Sequence, residues 1–335
     1  MNSYYYSAAQ LRPGQQLARM SAIQGERGRV LIGASEIDAV VAGSVIYAAD
    51  AAADLPVTGD WVAARLVEPE LALIEQILPR RTRIARRAAG RRNEQQVLAA
   101  NIDLAFIVCG LDGDYSARRL ERYLVTVREG GVEPVVVLNK SDVCADTQAA
   151  LDAARGIAGP ARVLAISART GLGCEEVDAL LRPGATAVLL GSSGAGKSTL
   201  LNRIAGAELQ RTAAVRESDA RGRHTTTVRE LIQMPGGAAL IDTPGLRELQ
   251  LWVAPESIAA VFDDIAAIAA GCRFADCSHI TEPGCAVREA IDAARLESFH
   301  KLRREAQRVS GALTEKQRWR SIHKSIRQLQ KMRGR

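Results

Sequence analysis

Residues Gly191 to Thr199 read GSSGAGKST and fit G-x-x-x-x-G-K-S/T, the pattern of a phosphate cradle. Gly191, Gly194 and Gly196 let backbone N–H groups converge on phosphate oxygens where side chains would obstruct the approach. Ser192, Ser193 and Ala195 complete the loop, and Thr199 follows it into a helix, STLLNRIAG, whose N-terminus adds the positive end of its dipole. Lys197 is expected to reach the β and γ phosphates, and the Ser198 hydroxyl to ligate Mg²⁺. Forty-four residues beyond Ser198, DTPG (Asp242 to Gly245) closes another apolar run. Asp242 suits a carboxylate that holds Mg²⁺, and Gly245 an N–H offered to the γ-phosphate. A bare turn would explain DTPG alone, but not at this distance from a cradle.

Between the two lies RESDARGRHTTT, polar and without hydrophobic period, which reads as a loop that closes on the γ-phosphate. Thr226, with Thr225 as second choice, is expected to complete the Mg²⁺ shell. The residue after Gly245 is Leu246, where many switch GTPases carry a water-positioning Gln, so another group must orient the attacking water. His224 has the right pKa class for that role, although a lone loop histidine is more often merely exposed. Slow intrinsic turnover that a partner stimulates is the expected behaviour.

NKSD (Asn139, Lys140, Ser141, Asp142) ends the run PVVVL some fifty residues before the cradle. Asp142 offers two oxygens to guanine N1–H and the 2-amino group, a contact that adenine cannot make. Asn139 addresses the O6/N7 edge, and the Lys140 stem covers the base. Ser167 and Ala168 of SAR (Ser167 to Arg169) fit a loop whose backbone N–H supports O6. Base reading therefore precedes the phosphate cradle in the chain, the reverse of an ordinary guanine-nucleotide switch. A circular permutation changes the connections and can leave the site intact.

A separate group, Cys272, Cys277, His279 and Cys285, has the spacing C-x4-C-x-H-x5-C. Three thiolates and one imidazole close a tetrahedral Zn²⁺ shell with no position left for water, so one structural ion is expected. Cys109, Cys144 and Cys174 are scattered and read as plain thiols.

The elements around these motifs fall into segments. Residues 1 to about 80 hold short β-like runs (RGRVLIGA, DAVVAGSVIYAA, GDWVAARLV, LALIEQILP) separated by turn residues, which suggests a small barrel. Residues 81–94 read as a basic linker or exposed loop. From about 95 to 254, strands alternate with helices such as SARRLERYLVTVREG and CEEVDALLR, the pattern of a three-layer α/β sheet. VRELIQMPGG before AALIDT reads as an antiparallel edge hairpin. Residues 255–335 are helical around the Cys/His group. Trp319, Ile322, Ile326 and Leu329 form an apolar stripe in the tail, which suits a docked helix or an RNA-facing one.

The net charge is +6 over 335 residues, but its distribution says more. Seven arginines and no acid lie between Arg80 and Arg92, and thirteen Lys or Arg face three acids from Arg295 onward. Such one-signed stretches favour an RNA or DNA partner over a merely solvated face. No apolar stretch approaches the roughly 20 residues of a membrane span, the start lacks a signal-peptide layout, and a cytoplasmic protein is the expectation.

Taken together, NKSD before GSSGAGKST, RGRHTTT, DTPG and the C-x4-C-x-H-x5-C group resemble the small ribosomal subunit biogenesis GTPase A family of circularly permuted GTPases. GDWV, NEQQVLAANIDLAFIV and RRLERYLV are similar to family segments too. The resemblance implies an N-terminal OB-fold barrel that binds RNA, a central permuted P-loop GTPase domain and a C-terminal zinc domain. It also implies late maturation of the 30S subunit, contact with 16S rRNA, subunit-stimulated hydrolysis of GTP to GDP, and a checkpoint near the decoding region. His224 then matches the family's proposed catalytic histidine, beside Lys197. A monomer working among other 30S assembly factors, without a membrane, is expected. Two other readings stand beside it: an RNA-binding scaffold in which bound GTP is regulatory and turnover incidental, and an ABC-type ATPase. The ATPase reading is disfavoured by NKSD and by the lack of an LSGGQ-like stretch.

Overall fold

The structure, a computed structural model, describes residues 11–88, 94–206, 229–242 and 252–309. The chain forms two compact units, one of residues 1–87 and 94–250, the other of 88–93 and 251–335. His224, Thr225, Thr226, Gly245, Leu246 and the tail from 310 onward lie outside the described residues.

The first unit starts with a barrel. Strands β1 (Gln16–Gln24), β2 (Arg27–Ile32) and β3 (Ser35–Val41) form an antiparallel meander; helix α1 (Gly43–Ala48) follows, then β4 (Trp61–Glu68) and β5 (Leu71–Ile77). The order β1-β2-β3-β5-β4 closes because β4 also pairs with β1, from Gln16↔Ala64 to Arg19↔Trp61. Period-two alternation selects the interior. Ala18, Met20, Val30, Ala39, Val41, Val62, Ala64, Ala72 and Ile74 fill it, all buried.

The run DAVVAGSVIYAA is not one strand, as its composition suggested. The β3–β5 ladder ends at Val41↔Ile74, with Ala42 N–H donating to Ile74 O as its last rung (2.9 Å). Beyond it the chain coils into α1. Val45 and Ile46 then pack on the barrel core while Tyr47 stays 93% exposed. A short end plug of this kind uses apolar residues at helical spacing, which six residues do not distinguish from a strand.

The basic segment also departs from expectation. β6 (Arg83–Arg87) pairs antiparallel with β7 (Gln95–Ala100), with Ile84 fully buried and a bulge after it. Several of the arginines are structural. Arg80 donates to Asp60 through Nε and Nη2 (both 2.8 Å), and to the carbonyls of Ala53 (2.5 Å) and Leu55 (2.7 Å). Arg81 pairs with Asp103 (3.1 Å), and Arg86 donates to Gln96 (3.1 Å).

The α/β part then runs β8 (Leu104–Gly110), α2 (Ala117–Glu129), β9 (Glu133–Asn139), α3 (Thr147–Ala158), β10 (Arg162–Ala165), α4 (Cys174–Leu180), β11 (Thr186–Leu190), α5 (Lys197–Ala205), β12 (Glu230–Gln233) and β13 (Ala239–Asp242). Strands β10, β9, β8, β11 and β13 are parallel neighbours in that order, and β12 runs antiparallel beside β13 as the expected hairpin. Phe106, Val108, Val135, Val137 and Leu189 on one face of this sheet share a core with Val177 of α4 and Leu200 and Leu201 of α5. Helices α2 and α3 cover the opposite face.

The two β systems are continuous. β1 meets β12 at Ala22↔Glu230, Arg29 bridges Glu36 (2.9 Å) and Glu230 (2.8 Å), and the Thr58 hydroxyl donates to Arg229 O (2.9 Å). Asn101, buried and with φ +54°, accepts from Arg81 N–H (3.1 Å) and donates to Gly59 O (3.1 Å), while its own carbonyl accepts from Arg19 (2.9 Å). An 11-stranded sheet results.

The second unit holds α6 (Pro255–Ala259), α7 (Asp263–Ala269), α8 (Ala286–Ala290) and a helix over 293–309. Phe262 meets Phe299 with ring centroids 5.4 Å apart, and Arg295 crosses the Phe262 ring at 4.8 Å while binding Asp264 through Nε (2.7 Å) and Nη2 (2.8 Å). Such a small core invites a staple. Among the described residues no helix is long and apolar enough to cross a membrane.

Candidate nucleotide site and metal centre

Parallel strands bring their carboxyl ends to one edge, where ligands of open α/β sheets bind. The register does this for all the described motifs. Gly110 lies opposite Asn139, Leu138 opposite Ala165, Leu190 opposite Ile107, and Val188 opposite Ile241. NKSD, SAR, the cradle and Asp242 therefore leave the sheet side by side, although 103 residues separate Asn139 from Asp242 in sequence.

Asn139 joins two of them. Its Nδ2 donates to Ala195 O of the cradle (2.8 Å), and its Oδ1 accepts from Ala168 N–H of SAR (2.9 Å). All three residues are buried. The cradle is shaped around this contact. Gly196 has φ +94°, and a Cβ there would lie 2.1 Å from Asn139 Nδ2; at Gly191 a Cβ would meet Val108 O at 2.2 Å. Alanine fits neither position.

Lys140 itself takes φ +67°, an uncommon conformation for a non-glycine residue, and its ammonium binds Asp112. Asp142 is held below the ordinary carboxyl range by the Ser167 hydroxyl first, with further help from Arg169, whose Nη2 lies 2.7 Å from Oδ2. A carboxylate kept ionised is what a reader of guanine N1–H requires. In the cradle, Lys197 Nζ donates to Gly191 O (2.9 Å) and Ser192 O (2.6 Å), so its ammonium lies against the loop it serves. Gly196 O accepts from Leu200 N–H (2.9 Å), which starts α5 directly from the loop. Ser198 stands in the first turn of α5 and Asp242 at the end of neighbouring β13. A hydroxyl and a carboxylate on one sheet edge form a donor set that suits Mg²⁺.

Two acidic residues here escaped the sequence reading. Asp114 accepts from the Ser192 hydroxyl and is gripped through both oxygens by Arg119 Nη1 (2.9 and 3.0 Å). Burial alone would raise its pKa, but these partners outweigh it and hold the carboxyl low. Asp112 anchors Lys140. Both belong to LDGDY, which ends β8 as NKSD ends β9. A polar run after a buried strand was the available signal, but no motif flagged it.

In the second unit the ligand atoms of Cys272, Cys277, His279 and Cys285 lie within 4.8 Å of one another. His279 Nδ1 is 3.6 Å from Cys272 Sγ and 3.5 Å from Cys285 Sγ, and those sulfurs are 3.9 Å apart. Bonds of about 2.3 Å to sulfur and about 2.0 Å to nitrogen at a tetrahedral centre require S···S of about 3.8 Å and S···N of about 3.5 Å. The four residues fit such an ion. All six cysteines are free, so no disulfide competes. Backbone N–H groups of Val287 and Ala286 lower the Cys272 thiol pKa, and burial keeps the His279 imidazole neutral; both favour metal-ligating forms. His279 has φ +63°, and His300 Nε2 lies 3.2 Å from its carbonyl oxygen. Glu282 accepts from Ser278 (N–H 2.9 Å, and its hydroxyl), Ile280 N–H (3.0 Å) and Thr281 N–H (3.1 Å), tying the loop between His279 and Cys285.

A phosphate cradle, a guanine-type reader and an antiparallel edge hairpin on one sheet, in this chain order, define a circularly permuted P-loop GTPase. Comparison with known proteins agrees. A model described as RsgA GTPase matches residues 77–252. A second, described as a 50S ribosome-binding GTPase, matches 186–324. It begins at β11 and omits NKSD, as expected when a model of ordinary motif order meets a permuted chain. The chain is 46% identical to the small ribosomal subunit biogenesis GTPase RsgA of Opitutus terrae, over 94% of this chain and 92% of that one. It is 52% identical to the RsgA of Xylella fastidiosa strain 9a5c, over 74% and 73%. Among solved structures, YjeQ from Thermotoga maritima superposes with TM-score 0.65 at 25% identity, covering 88% of this chain and 99% of that one. The chain belongs to the RsgA family of small ribosomal subunit biogenesis GTPases.

Proposed function

We propose that this chain is a GTP phosphohydrolase of the cytoplasm that binds the 30S subunit through 16S rRNA and acts late in its maturation, with the subunit stimulating turnover. The carrying observation is Asn139, whose amide ties the guanine-reading loop to the phosphate cradle. One ligand that holds both a guanine and a phosphate chain is what such a tie serves. The names of the RsgA relatives supply the ribosomal partner.

In this reading Asp142 selects guanine, Asn139 and Ala168 address its O6/N7 edge, and the Lys140 stem covers it. Gly191 to Thr199 cradle the phosphates, Lys197 neutralises charge developing on the γ-phosphoryl oxygens, and Ser198, Asp242 and Thr226 hold Mg²⁺. The ion supplies charge neutralisation across the β and γ phosphates. Gly245 offers its N–H to the γ-phosphate, and His224 orients the water. The Cys₃His group holds a single structural Zn²⁺. The working modules are a barrel over 1–80, a basic connection over 81–94, the GTPase domain over 95–254 and the zinc module over 255–335. The protein acts as a monomer, alongside other assembly factors.

The test is GTP turnover with and without purified 30S subunits. A rate that rises with subunits supports the proposal. An unchanged rate, with binding intact, favours a scaffold in which nucleotide is regulatory.

A further inference from the structure

Arg203 belongs to no nucleotide motif. It lies on α5, six residues beyond Lys197, and reaches across to the base-side loop. Its Nε donates to Ala168 O (2.7 Å) and its Nη2 to Arg169 O (3.0 Å). The loop is built around this guanidinium. Gly171 has φ +96°, and a Cβ there would stand 2.7 Å from Arg203 Nη1.

Those two carbonyls set the loop's donors. In a planar trans peptide the N–H points opposite to the C=O. Holding Ala168 O therefore aims the N–H of Arg169 away from α5, and that N–H has no hydrogen-bond partner among the described residues. The neighbouring donors are already engaged: Ala168 N–H on Asn139 Oδ1 (2.9 Å) and Thr170 N–H on Ser167 Oγ (3.1 Å). A fixed, unspent donor in the loop flanking NKSD suits the exocyclic oxygen of a 6-oxopurine.

We infer that Arg203 is a positioning residue for base specificity, which locks the peptide between Ala168 and Arg169 so that the Arg169 N–H reads guanine O6. It acts from the phosphate-side helix, so cradle and base reader share a second strap beside Asn139. Lysine offers a point charge where arginine offers a planar fork, and holds one carbonyl at most. The inference rests on the guanine site proposed above.

The experiment measures dissociation constants of GDP, 6-thio-GDP and IDP, with ADP as control, for wild type, Arg203→Lys and Arg203→Met. 6-Thio-GDP keeps N1–H and the 2-amino group but presents a poor acceptor at position 6; IDP lacks only the 2-amino group. Expected for Arg203→Met is a GDP affinity lower by about tenfold, of the order of one charge-assisted hydrogen bond. The preference for GDP over 6-thio-GDP shrinks toward unity, while the preference for GDP over IDP, set at Asp142, keeps its wild-type value. Arg203→Lys falls between. If all affinities drop in proportion with both ratios unchanged, Arg203 is merely structural and the inference is overturned. Wild-type protein that binds ADP as well as GDP would overturn the guanine site itself, and the inference with it.

Discussion

Replacing Asn139 by alanine strands two buried backbone groups at once, Ala195 C=O and Ala168 N–H, which it binds at 2.8 and 2.9 Å. Asn139 and Ala168 are each 2% exposed and Ala195 0%, so solvent cannot substitute without the loops parting. An unsatisfied buried donor or acceptor costs about 1–3 kcal/mol. Two give about 2–6 kcal/mol before relaxation, and about 3 kcal/mol is a reasonable net. In a domain of this size each kcal/mol lowers Tm by about 2–4 °C, so nucleotide-free Asn139→Ala should melt about 6–12 °C below wild type. Asn139→Asp is the sharper variant. Its carboxylate still accepts from Ala168 N–H but turns an acceptor toward Ala195 O, so repulsion replaces the second bond, and Tm should fall at least as far. Differential scanning fluorimetry without nucleotide reads both, and GDP release by stopped flow reads the site. A fall of less than about 2 °C in Asn139→Ala would mean that the two loops hold their places without the amide, and the reasoning about their coupling would fail.

The Arg80–Asp60 pair, with side-chain exposures of 13% and 0%, should behave as a buried pair: Arg80→Met costs about 3–5 kcal/mol in urea unfolding by leaving a lone carboxylate, and the added change Asp60→Asn recovers part of it. Asp142 is held below 3.8 by Ser167 and Arg169, so its ionised form is present above that value and lost only as pH falls through the depressed pKa. The preference for GDP over ADP should then be flat from about pH 8 to about pH 5, and a midpoint within that range would refute the assignment. Chelation, or Cys285→Ser, should release one zinc per chain measured by a colorimetric dye and open residues 251–309 to protease. An unchanged digestion pattern after metal loss would show that the small aromatic core suffices.

Much of the site was legible because its motifs end buried strands. PVVVL before NKSD and ATAVLL before the cradle are apolar runs too short for helices, and their order alone announced the permutation. Tertiary partners were not legible. RIARR looks like solvated linker until QQVLAA pairs with it and Ile84 turns inward. Arg80 looks like RNA-binding charge until Asp60, twenty residues earlier, is found beneath it. GSVIYA takes a helix because the β3–β5 ladder stops at Ile74, a limit set by another strand. Asp114 and Arg203 belong to the site only through contacts 78 and 35 residues distant, which no local pattern records.

The meeting of β1 with β12 has a further consequence. A sheet's outermost strand presents unpaired N–H and C=O groups that recruit other chains. In the α/β part that exposed margin would be β12, yet the barrel takes it up, with Thr58, Arg29 and the Ala22↔Glu230 pair fastening the seam. The barrel thus shields its neighbour from self-association, whatever else it binds. An isolated α/β part starting near residue 95 would carry an uncapped β12 and would tend to stack with its own copies.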